Sequence, residues 1–494
     1  MALNACQYRH RIVHCSIAGP NAARASTQEQ PQNAVILADS RTQKFVEWCR
    51  DSLRVESSKL RPATFKGLRG MAAAEGGIKA DDLIISIPRL ASITLAPGAR
   101  CPCPAFVAPD YWRAQPWFVQ MGIMLLHEQR LGEASRLSRY IEQLPRSFDA
   151  PVLWTPQQLQ QLQCPHTIQQ VQLQQQEWAG LHRQLLASGL QPGQATVTSE
   201  QFLWALCAVR SRTFSGPYIG SSLADRLRLA ALVGGLSVAN VVLGLADVQR
   251  TLSAALAVLL FNLLYELILS RSLKQHALCP LVDFINHSSA SKSEVSLDYF
   301  SDRYSVQAGR DYSMGEEVFI SYGGNQTNDS LLQYYGFTEP DLPGDCYCMT
   351  RMMAWLEAEQ GPVAPWRLDA LRQAGLMEAV SSVTLVRKGF PAESLHALRF
   401  LLAPDEEARN TALGGLASWQ QAGSPEQEQR LALLLVAACE KELEALGTSL
   451  EQDLSQLALL RSARQPTAAE ARIALEYRIE KKKVLRDCLA ALRG

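Results

Sequence analysis

The sequence predicts an α+β fold, in which short strands form small sheets and helices dominate an internal segment and the C-terminal part of the chain. Two runs of alternating side chains, Glu294–Tyr299 and Arg303–Gln307, are separated by a polar turn and predict a β-hairpin. The apolar centre of a third run, Glu317–Tyr322, is typical of a buried strand. Residues 116–205 and the segment after residue 345 instead show the apolar spacing of helices.

The composition fits two or three domains and a partner other than nucleic acid. The chain has 494 residues, and its 48 Lys and Arg residues are balanced by 48 Asp and Glu residues. Because such a chain lacks a basic field for a phosphate backbone, we expect a protein or peptide partner and no nucleic acid. The 12 cysteines are scattered and no secretory leader is recognisable, so we expect reduced thiols in an intracellular compartment.

Residues 1–40 have the composition of an organelle transit peptide. They contain no acidic residue before Glu29, but they include Arg9, Arg11, Arg24 and several alanines. An ordinary disordered tail is the alternative interpretation. We expect the folded chain to begin near residue 41.

A glycine-containing turn precedes the first predicted strand. Gly67 and Gly70 stand before the apolar run Leu83–Ile87. Glycine lacks a Cβ atom, so the backbone at such a turn can pass close to a ligand. A plain turn explains the two glycines equally well.

A helical insert is predicted from about residue 105 to 205. Its glutamine-rich stretch, Gln157–Leu190, keeps apolar residues at partly helical spacing. We therefore interpret the glutamines as the solvated face of a helix.

A second, apolar insert occupies residues from about 215 to 275. Leu229–Ala246 contains no charge, and Thr251–Tyr265 is equally apolar. A transmembrane helix needs about 20 consecutive apolar residues, and these runs are too short or contain polar interruptions. We predict an apolar helical hairpin that packs on the domain or lies on a membrane surface through residues 229–265, rather than a membrane span.

The stretch Cys279–Asp341 holds polar and aromatic residues suited to a chemical site. It opens with a compact polar turn, contains the predicted hairpin and buried strand, and closes with an aromatic cluster after a short helical segment. Three motifs follow one another in it: Asn286-His287-Ser288, Gly315-Glu316-Glu317 leading to Tyr322, and Tyr335-Gly336-Phe337.

These three ordered motifs resemble the C-terminal half of a SET-domain methyltransferase of the Rubisco large-subunit lysine methyltransferase group. The resemblance implies a split SET domain over residues 41–340, with small sheets and a pseudoknot, interrupted by the two inserts. It also implies that residues 345–494 form an all-helical substrate-binding domain. The closing helix of that domain contains the run Lys481–Lys483, which we interpret as a solvated face.

The resemblance also places the candidate site. It makes Tyr322 the catalytic residue, whereas a lone strand tyrosine would be a core side chain with a satisfied hydroxyl. It places Arg212 beside the methionine carboxylate of the cofactor S-adenosyl-L-methionine, with a surface salt bridge as the alternative. The other implied cofactor-binding residues are Gly67, Gly70, Asp283, Asn286, His287, Tyr335 and Phe337. For Asp283 a turn cap, and for His287 and the aromatic residues a core position, are the alternatives.

The implied reaction transfers a methyl group from S-adenosyl-L-methionine to a lysine side chain of a non-histone protein, which the C-terminal helical domain docks. Lysine has a pKa of about 10.4, so presenting the neutral amine near pH 7.4 costs about 4 kcal/mol. A narrow apolar channel and the positive sulfonium both favour the free amine. A protein-histidine methyltransferase and a non-catalytic binding protein on the same scaffold are the alternatives.

Location and metal content complete the expectations. Because the family has plastid members, we expect a chloroplast protein, with the cytoplasm as the alternative.

Two C-x-C pairs, at Cys101 and Cys103 and at Cys346 and Cys348, suggest zinc ligands. Structural zinc needs four ligands, and no cysteine follows the Asn-His-Ser motif, so we predict no metal site.

Overall fold

The computed structural model describes residues 34–37, 39–217, 223–264, 274–298, 301–324, 326–414, 423–462 and 469–493. The predicted transit peptide lies almost entirely outside these ranges. Tyr265 and Tyr299, the last residues of two predicted segments, also lie outside them.

In the described residues, five strands and one α-helix precede the helical insert. They are β1 (Val35–Ile36), α1 (Ser40–Asp51), β2 (Leu60–Phe65), β3 (Leu68–Ala73), β4 (Leu83–Pro88) and β5 (Ile93–Leu95). Strands β2 and β3 form a hairpin whose turn residues, Lys66 and Gly67, have φ values of 50° and 85°. Two-residue turns with positive φ match the twist of a hairpin and favour glycine.

The insert is helical, as the sequence predicts. Its helices are α2 (Pro109–Ala114), α3 (Trp117–Leu131), α4 (Ser138–Gln143), α5 (Pro156–Gln160), α6 (Pro165–Gln184) and α7 (Ser199–Arg212). Along α6 the residues Ile168, Val171 and Trp178 are buried while most glutamines face solvent, which confirms the interpretation of the glutamine-rich stretch. Helix α7 starts with a capping box between Thr198 and Gln201, and its last residue is Arg212.

The apolar insert forms a helical hairpin between two paired strands. The elements are β6 (Thr213–Pro217), α8 (Leu223–Val242), α9 (Val248–Leu264) and β7 (Lys274–Leu278). Among the side chains described between residues 227 and 264, only Val233 and Thr251 are buried. The prediction of a hairpin is confirmed, but packing against the domain is wrong for most of its surface. In the described parts of the chain, every helix is too short or too polar to cross a bilayer.

The second half of the sheet system follows the hairpin. It consists of β8 (Asn286–His287), β9 (Val295–Asp298), β10 (Arg303–Gln307), β11 (Glu317–Ile320) and α10 (Asn328–Tyr335). Strands β9 and β10 pair antiparallel with Arg303 opposite Asp298, which confirms the predicted β-hairpin.

The two halves of the sheet system interleave. One sheet has the order β1-β2-β3-β11-β8, a second β4-β10-β9 and a third β5-β7-β6. Strand β11 is antiparallel to β3 and parallel to β8. This pairing brings Gly70 on β3 next to the Asn-His-Ser motif of the C-terminal half, although more than 200 residues separate them. Side chains from both halves share one hydrophobic core.

The C-terminal segment packs around a second hydrophobic core, to which α5 and α6 of the helical insert and Leu332 of α10 also contribute. Its elements are β12 (Cys346–Met349), α11 (Met352–Gln360), α12 (Pro365–Gln373), α13 (Glu378–Ser381), β13 (Val383–Val386), α14 (Ala392–Leu402), α15 (Asp405–Gly414), α16 (Pro425–Glu444), α17 (Leu450–Ser462) and α18 (Ala469–Arg493). The antiparallel pair β12–β13 corrects the expectation of an entirely helical segment.

The lysine run of α18 is not a solvated face, so that interpretation is wrong. The side chains of Lys481 and Lys482 are each 1% exposed. Their ammonium groups contact the carboxylates of Asp345 and Asp453 at 2.8 and 2.5 Å. Buried lysines need such partners, because an unpaired charge in the interior is strongly disfavoured.

Candidate active site

Asn286 lies at the junction of β3, β8 and β11. Its Nδ2 donates to the carbonyl oxygen of Arg69 at 3.0 Å and to Oε1 of Glu317 at 2.8 Å. Gly70 passes directly beneath this amide. A Cβ atom on Gly70 would lie 2.6 Å from Oε1 of Glu317 and 2.9 Å from Nδ2 of Asn286. The structure therefore brings Gly70 and Asn286 together and leaves no room for a side chain at position 70.

Gly67 does not share this environment. It occupies the tip of the β2–β3 hairpin, and a Cβ atom there would meet no atom within 4 Å. Its φ of 85° explains the glycine by turn geometry alone. The structure thus does not bring Gly67 to the site in the way that it brings Gly70.

The two glycines give a matched pair of substitutions. We expect Gly70→Ala to weaken the binding of S-adenosyl-L-methionine about tenfold, since its methyl group must displace the Asn286 amide and tenfold corresponds to about 1.4 kcal/mol. Gly67→Ala strains only the turn, so its cofactor affinity should match the wild type. Calorimetric titration with the cofactor measures both, and equal affinities for the two variants would contradict the assignment of Gly70.

Tyr322 is held by both its backbone and its hydroxyl. Its N–H donates to Nδ1 of His287 at 3.1 Å, and its hydroxyl donates to the carbonyl oxygen of Ile285 at 3.0 Å. The ring centroid lies 5.0 Å from that of His287 and 5.0 Å from that of Tyr335. Burial raises the pKa of Tyr322 well above its ordinary value, although the nearby Arg212 opposes this effect. The phenol therefore stays neutral, and its oxygen retains lone pairs that can accept a hydrogen bond.

Tyr335 and Phe337, at the end of α10, lie beside the rings of Tyr322 and His287. Gly336 terminates that helix with a φ of 76°, and a Cβ atom there would lie 3.1 Å from the carbonyl oxygen of Asp149. The ring of Phe337 lies 6.1 Å from that of His287 and 6.1 Å from that of Tyr335. The structure thus brings the three sequence motifs together around one aromatic cluster.

Arg212 and Asp283 form a buried ion pair beside Tyr322. Nη1 of Arg212 donates to Oδ2 and to the carbonyl oxygen of Asp283, both at 3.1 Å. The hydroxyl of Tyr140 donates to the same Oδ2 at 3.2 Å. Two atoms of the pair, Nε of Arg212 and Oδ1 of Asp283, are buried without a hydrogen-bond partner among the described residues. A buried polar atom of this kind costs about 1–3 kcal/mol unless a ligand supplies the missing bond.

A cleft joins these groups. It encloses about 660 Å³, including the part open to solvent. The walls are contributed by Ser211, Arg212, Thr213, Phe214, Ser215, Asp283, Glu294, Val295, Ser321, Tyr322, Gly323 and Tyr335. The unpaired donor of Arg212 and acceptor of Asp283 suit the carboxylate and ammonium groups of an amino-acid moiety, so these residues fit a cofactor with a methionine end.

The sequence analysis missed several residues of this site. The guanidinium of Arg69 lies 3.7 Å above the ring of Phe284, and burial lowers its pKa. Burial raises the pKa of Glu317, while the hydrogen bond from Asn286 opposes the change. Glu317 belongs to the Gly315-Glu316-Glu317 motif and Arg69 directly precedes Gly70, so the sequence did contain a sign of both. Tyr140 belongs to α4 and lay in no motif.

One cluster of potential metal ligands is present in the described ranges, formed by Asp329, Asp345 and Cys346. The ammonium of Lys481 occupies its centre, at 2.6 Å from Asp329 Oδ2 and 2.8 Å from Asp345 Oδ1. Burial raises the pKa of the Cys346 and Cys103 thiols to about 12, so both stay protonated near neutral pH. The cluster is thus a salt-bridge centre, in which the ammonium of Lys481 supplies the positive charge.

Interleaved small sheets around a tyrosine-lined cleft, followed by a helical unit, define an S-adenosylmethionine-dependent protein methyltransferase. A model of the SET domain matches residues 69–323, more than half of the chain, and a model of the Rubisco LSMT substrate-binding domain matches residues 358–485. The chain therefore belongs to the SET domain family, and the resemblance to the Rubisco large-subunit methyltransferase group is confirmed.

Individual relatives agree with this membership. The chain is 23% identical to the chloroplastic [fructose-bisphosphate aldolase]-lysine N-methyltransferase of Arabidopsis thaliana, over 94% of this chain and 83% of that protein. It is 23% identical to the chloroplastic Rubisco large subunit N-methyltransferase of Pisum sativum, over 69% and 60%. The crystal structure of the SET domain of LSMT bound to lysine and AdoHcy superposes with a TM-score of 0.61 at 19% identity, covering 92% of this chain and 91% of that one.

Proposed function

We propose that this protein transfers a methyl group from S-adenosyl-L-methionine to a lysine side chain of a non-histone protein, with Tyr322 as the catalytic residue. The observation that carries the proposal is the convergence of Tyr322 with the Arg212–Asp283 pair on one cleft. The names of two relatives, which act on aldolase and on the Rubisco large subunit, support a lysine of a metabolic enzyme as the substrate class.

The residues of the cleft divide the work of binding the cofactor. Arg212 Nε would donate to the methionine carboxylate and Asp283 Oδ1 would accept from the ammonium, which completes their hydrogen bonding. Asn286, His287 and Phe337 lie beside the cleft rather than in its walls, and they would hold the rest of the cofactor. Gly70 leaves the room that the Asn286 amide occupies. When bound, S-adenosyl-L-methionine supplies an electrophilic methyl group on a positively charged sulfur.

The chain's own residues prepare the nucleophile. A lysine entering the cleft must lose its proton, at a cost of about 4 kcal/mol near neutral pH. Burial between the rings of Tyr322, Tyr335 and Phe214 disfavours the charged ammonium and excludes water. The hydroxyl of Tyr322 is fixed by Ile285 and accepts an N–H of the free amine, so that the nitrogen lone pair is aimed rather than mobile.

The proposal includes the domain division and the docking of the protein substrate. We retain residues 41–340 as the split catalytic domain and residues 345–494 as the helical substrate-binding domain. The match to a substrate-binding domain model over residues 358–485 supports docking of the protein substrate by this unit. The chloroplastic location of several relatives supports a plastid location for this chain.

Incubation of the protein with isotopically labelled S-adenosyl-L-methionine and a plastid extract tests the proposed function. We expect label on one or a few stromal proteins, and mass spectrometry should place it on lysine. The chain is also 23% identical to the actin-histidine N-methyltransferase of Danio rerio, over 84% of this chain and 62% of that protein. Label on histidine would therefore replace the lysine proposal, whereas cofactor binding without any labelled protein would favour a non-catalytic scaffold.

We also propose that the α8–α9 hairpin contacts a membrane surface. Its tip exposes Val242 at 78%, Leu243 at 70% and Leu245 at 72%, and both helices are apolar on most faces. A groove on a protein partner would cover one face of a helix, whereas a lipid surface can bury apolar side chains on several faces. Burial of each large apolar side chain contributes about 1.5–3 kcal/mol.

Serine substitutions separate the hairpin tip from ordinary exposed leucines. We expect Val242, Leu243 and Leu245, changed together to Ser, to abolish most sedimentation of the protein with phospholipid vesicles while its cofactor affinity stays unchanged. The matched control changes Leu68, Leu90 and Leu459, which are 66%, 70% and 69% exposed elsewhere on the surface. Equal sedimentation of both triple variants would contradict a membrane-facing hairpin.

A further inference from the structure

Glu339 lies two residues beyond the aromatic motif, and its carboxylate faces the imidazole of His287. Its Oε2 is 3.5 Å from Nε2 of His287, whose side chain is 1% exposed. The same carboxylate accepts the backbone N–H of Ser289 at 3.1 and 3.2 Å. Burial raises the pKa of Glu339, but the hydrogen bonds from His287 and Ser289 outweigh it and leave that pKa below its ordinary value. The group is therefore a carboxylate at neutral pH.

The other nitrogen of the His287 ring fixes which tautomer is present. Nδ1 accepts the backbone N–H of Tyr322 at 3.1 Å. A ring nitrogen that accepts a hydrogen bond cannot carry a proton, so the neutral imidazole must carry its proton on Nε2. Nε2 is buried and has no hydrogen-bond partner among the described residues, but the carboxylate of Glu339 lies 3.5 Å from it. A negative charge at this distance favours the tautomer that carries its proton on Nε2.

Glu339 is itself held from behind. Its N–H donates to Oδ1 of Asn328 at 2.7 Å, and its carbonyl oxygen accepts from Nδ2 of Asn328 at 3.0 Å. Asn328 is fully buried and is fixed in turn by Asp345, at 2.9 Å from both its N–H and its Nδ2. The ammonium of Lys481 compensates the charge of Asp345 at 2.8 Å. A side chain on an otherwise exposed segment is thus anchored to the buried charge centre of α18.

We propose that Glu339 is a positioning residue for methyl transfer. Its carboxylate holds His287 in the Nε2-protonated tautomer, which leaves Nδ1 free to hold the backbone of Tyr322. The backbone bond then sets where the phenol meets the carbonyl oxygen of Ile285. The catalytic consequence rests on the proposed function, whereas the tautomer of His287 does not depend on it.

Three variants and two readouts test the assignment. Glu339→Ala removes the carboxylate, Glu339→Gln keeps its shape without the charge, and Asp341→Asn removes a carboxylate from the same segment that instead pairs with Lys483 at 3.0 Å. The first readout is steady-state methylation. The second is the ¹⁵N spectrum of the histidine rings, in which protonated and unprotonated nitrogens resonate apart, with the signal of His287 assigned from its absence in His287→Asn.

We expect Glu339→Ala to lower kcat about 10- to 100-fold, the usual effect of removing an outer partner that orients an active-site histidine or ligand. KM and cofactor affinity should change about twofold or less, since the groups that bind substrate and cofactor remain. The His287 spectrum should change from one tautomer to a mixture. Glu339→Gln should recover part of both losses because its amide oxygen still accepts, and Asp341→Asn should match the wild type.

An unchanged His287 spectrum in Glu339→Ala would overturn the positioning role, even if the protein has no methyltransferase activity. A changed spectrum with a kcat equal to that of Asp341→Asn would overturn the catalytic consequence. If Glu339→Ala does not fold, Glu339→Gln tests the positioning role by the same two readouts. A His287 spectrum and a kcat equal to those of the wild type would contradict the need for a charged partner. If the wild-type protein itself shows no methyltransferase activity, the proposed function is contradicted. The tautomer assignment of His287 is unaffected by that result.

Discussion

Tyr322→Phe should lower the rate of methyl transfer about 10²- to 10³-fold, the usual effect of removing one preorganised hydrogen-bonding group at a reacting centre. The substitution removes one oxygen and keeps the ring, whose neighbours are His287, Tyr335 and Phe214. The lost hydrogen bond to Ile285 costs only about 1 kcal/mol of stability. The hydroxyl donates to Ile285 rather than to the Arg212–Asp283 pair, so cofactor affinity should change about twofold or less, the pattern of an interaction made only in the transition state.

The control for this prediction is Tyr111→Phe. Tyr111 is buried in α2, its hydroxyl has no hydrogen-bond partner in the described structure, and burial raises its pKa as it does for Tyr322. The same chemical change is therefore made at a buried phenol outside the cleft, and activity should match the wild type. Single-turnover transfer from labelled S-adenosyl-L-methionine measures both. Equal rates for the wild type and Tyr322→Phe would remove Tyr322 from its assigned role.

The sequence predicts β4, β9, β10 and β11 because their patterns are local, but it does not predict β6, which also lines the cleft. The β9–β10 hairpin has alternating side chains, and β11 has a continuous apolar run, so each strand can be recognised from its own sequence without knowledge of its partners. Which strands pair is not local. The resemblance implied small sheets and a pseudoknot, but the placement of β11 between β3 and β8 was not predicted, since spacing alone does not show that Gly70 lies beneath Asn286.

Gly67 and Gly70 show the limit of local reasoning within one motif. Both glycines suit a close backbone approach in the sequence. In the structure Gly67 satisfies a turn with positive φ, whereas Gly70 avoids a contact with Asn286 and Glu317, which are more than 200 residues away. A turn requirement and a packing requirement select the same residue, so only the tertiary structure separates them.

The α8–α9 hairpin and the lysines of α18 both differ from what their hydropathy predicts, in opposite directions. Apolar side chains on α8 and α9 imply burial, yet most are exposed, because the rest of the described chain offers them no surface. The run Lys481–Lys483 implies exposure, yet two of its members are buried, since acidic partners arrive from α10, the start of β12 and α17. Long-range charge pairing overrides a local polarity pattern whenever the partners are brought in by the fold.

Lys481→Met should destabilise the protein by about 3–5 kcal/mol, the usual cost of breaking a buried ion pair by removing one partner. The ammonium contacts Asp329 Oδ2 at 2.6 Å, Asp345 Oδ1 at 2.8 Å and the carbonyl oxygen of Cys346 at 2.8 Å. Methionine has a similar length and fills the space, so the loss reports charge rather than a cavity. Lys483→Met is the matched control, because its ammonium is partly exposed and its partners in the described structure are Asp341 and Glu480. Asp341 is exposed and Glu480 keeps a second partner in Arg387 at 3.5 Å, so we expect a loss of about 0–1 kcal/mol.

The pH dependence of this loss identifies its cause. In the wild type, burial raises the pKa of Asp329, but Lys481 and the hydroxyls of Tyr477 and Thr167 outweigh it and hold that pKa below its ordinary value. A depressed folded pKa contributes stability that is present above the unfolded pKa and is lost as the pH falls through the folded one. Without Lys481 burial dominates, the folded pKa rises above the unfolded value, and stability is lost as the pH rises. The difference in urea midpoint between Lys481→Met and the wild type should therefore be larger at pH 8 than at pH 5. A difference that does not depend on pH would show that lost packing, not an uncompensated carboxylate, destabilises the variant.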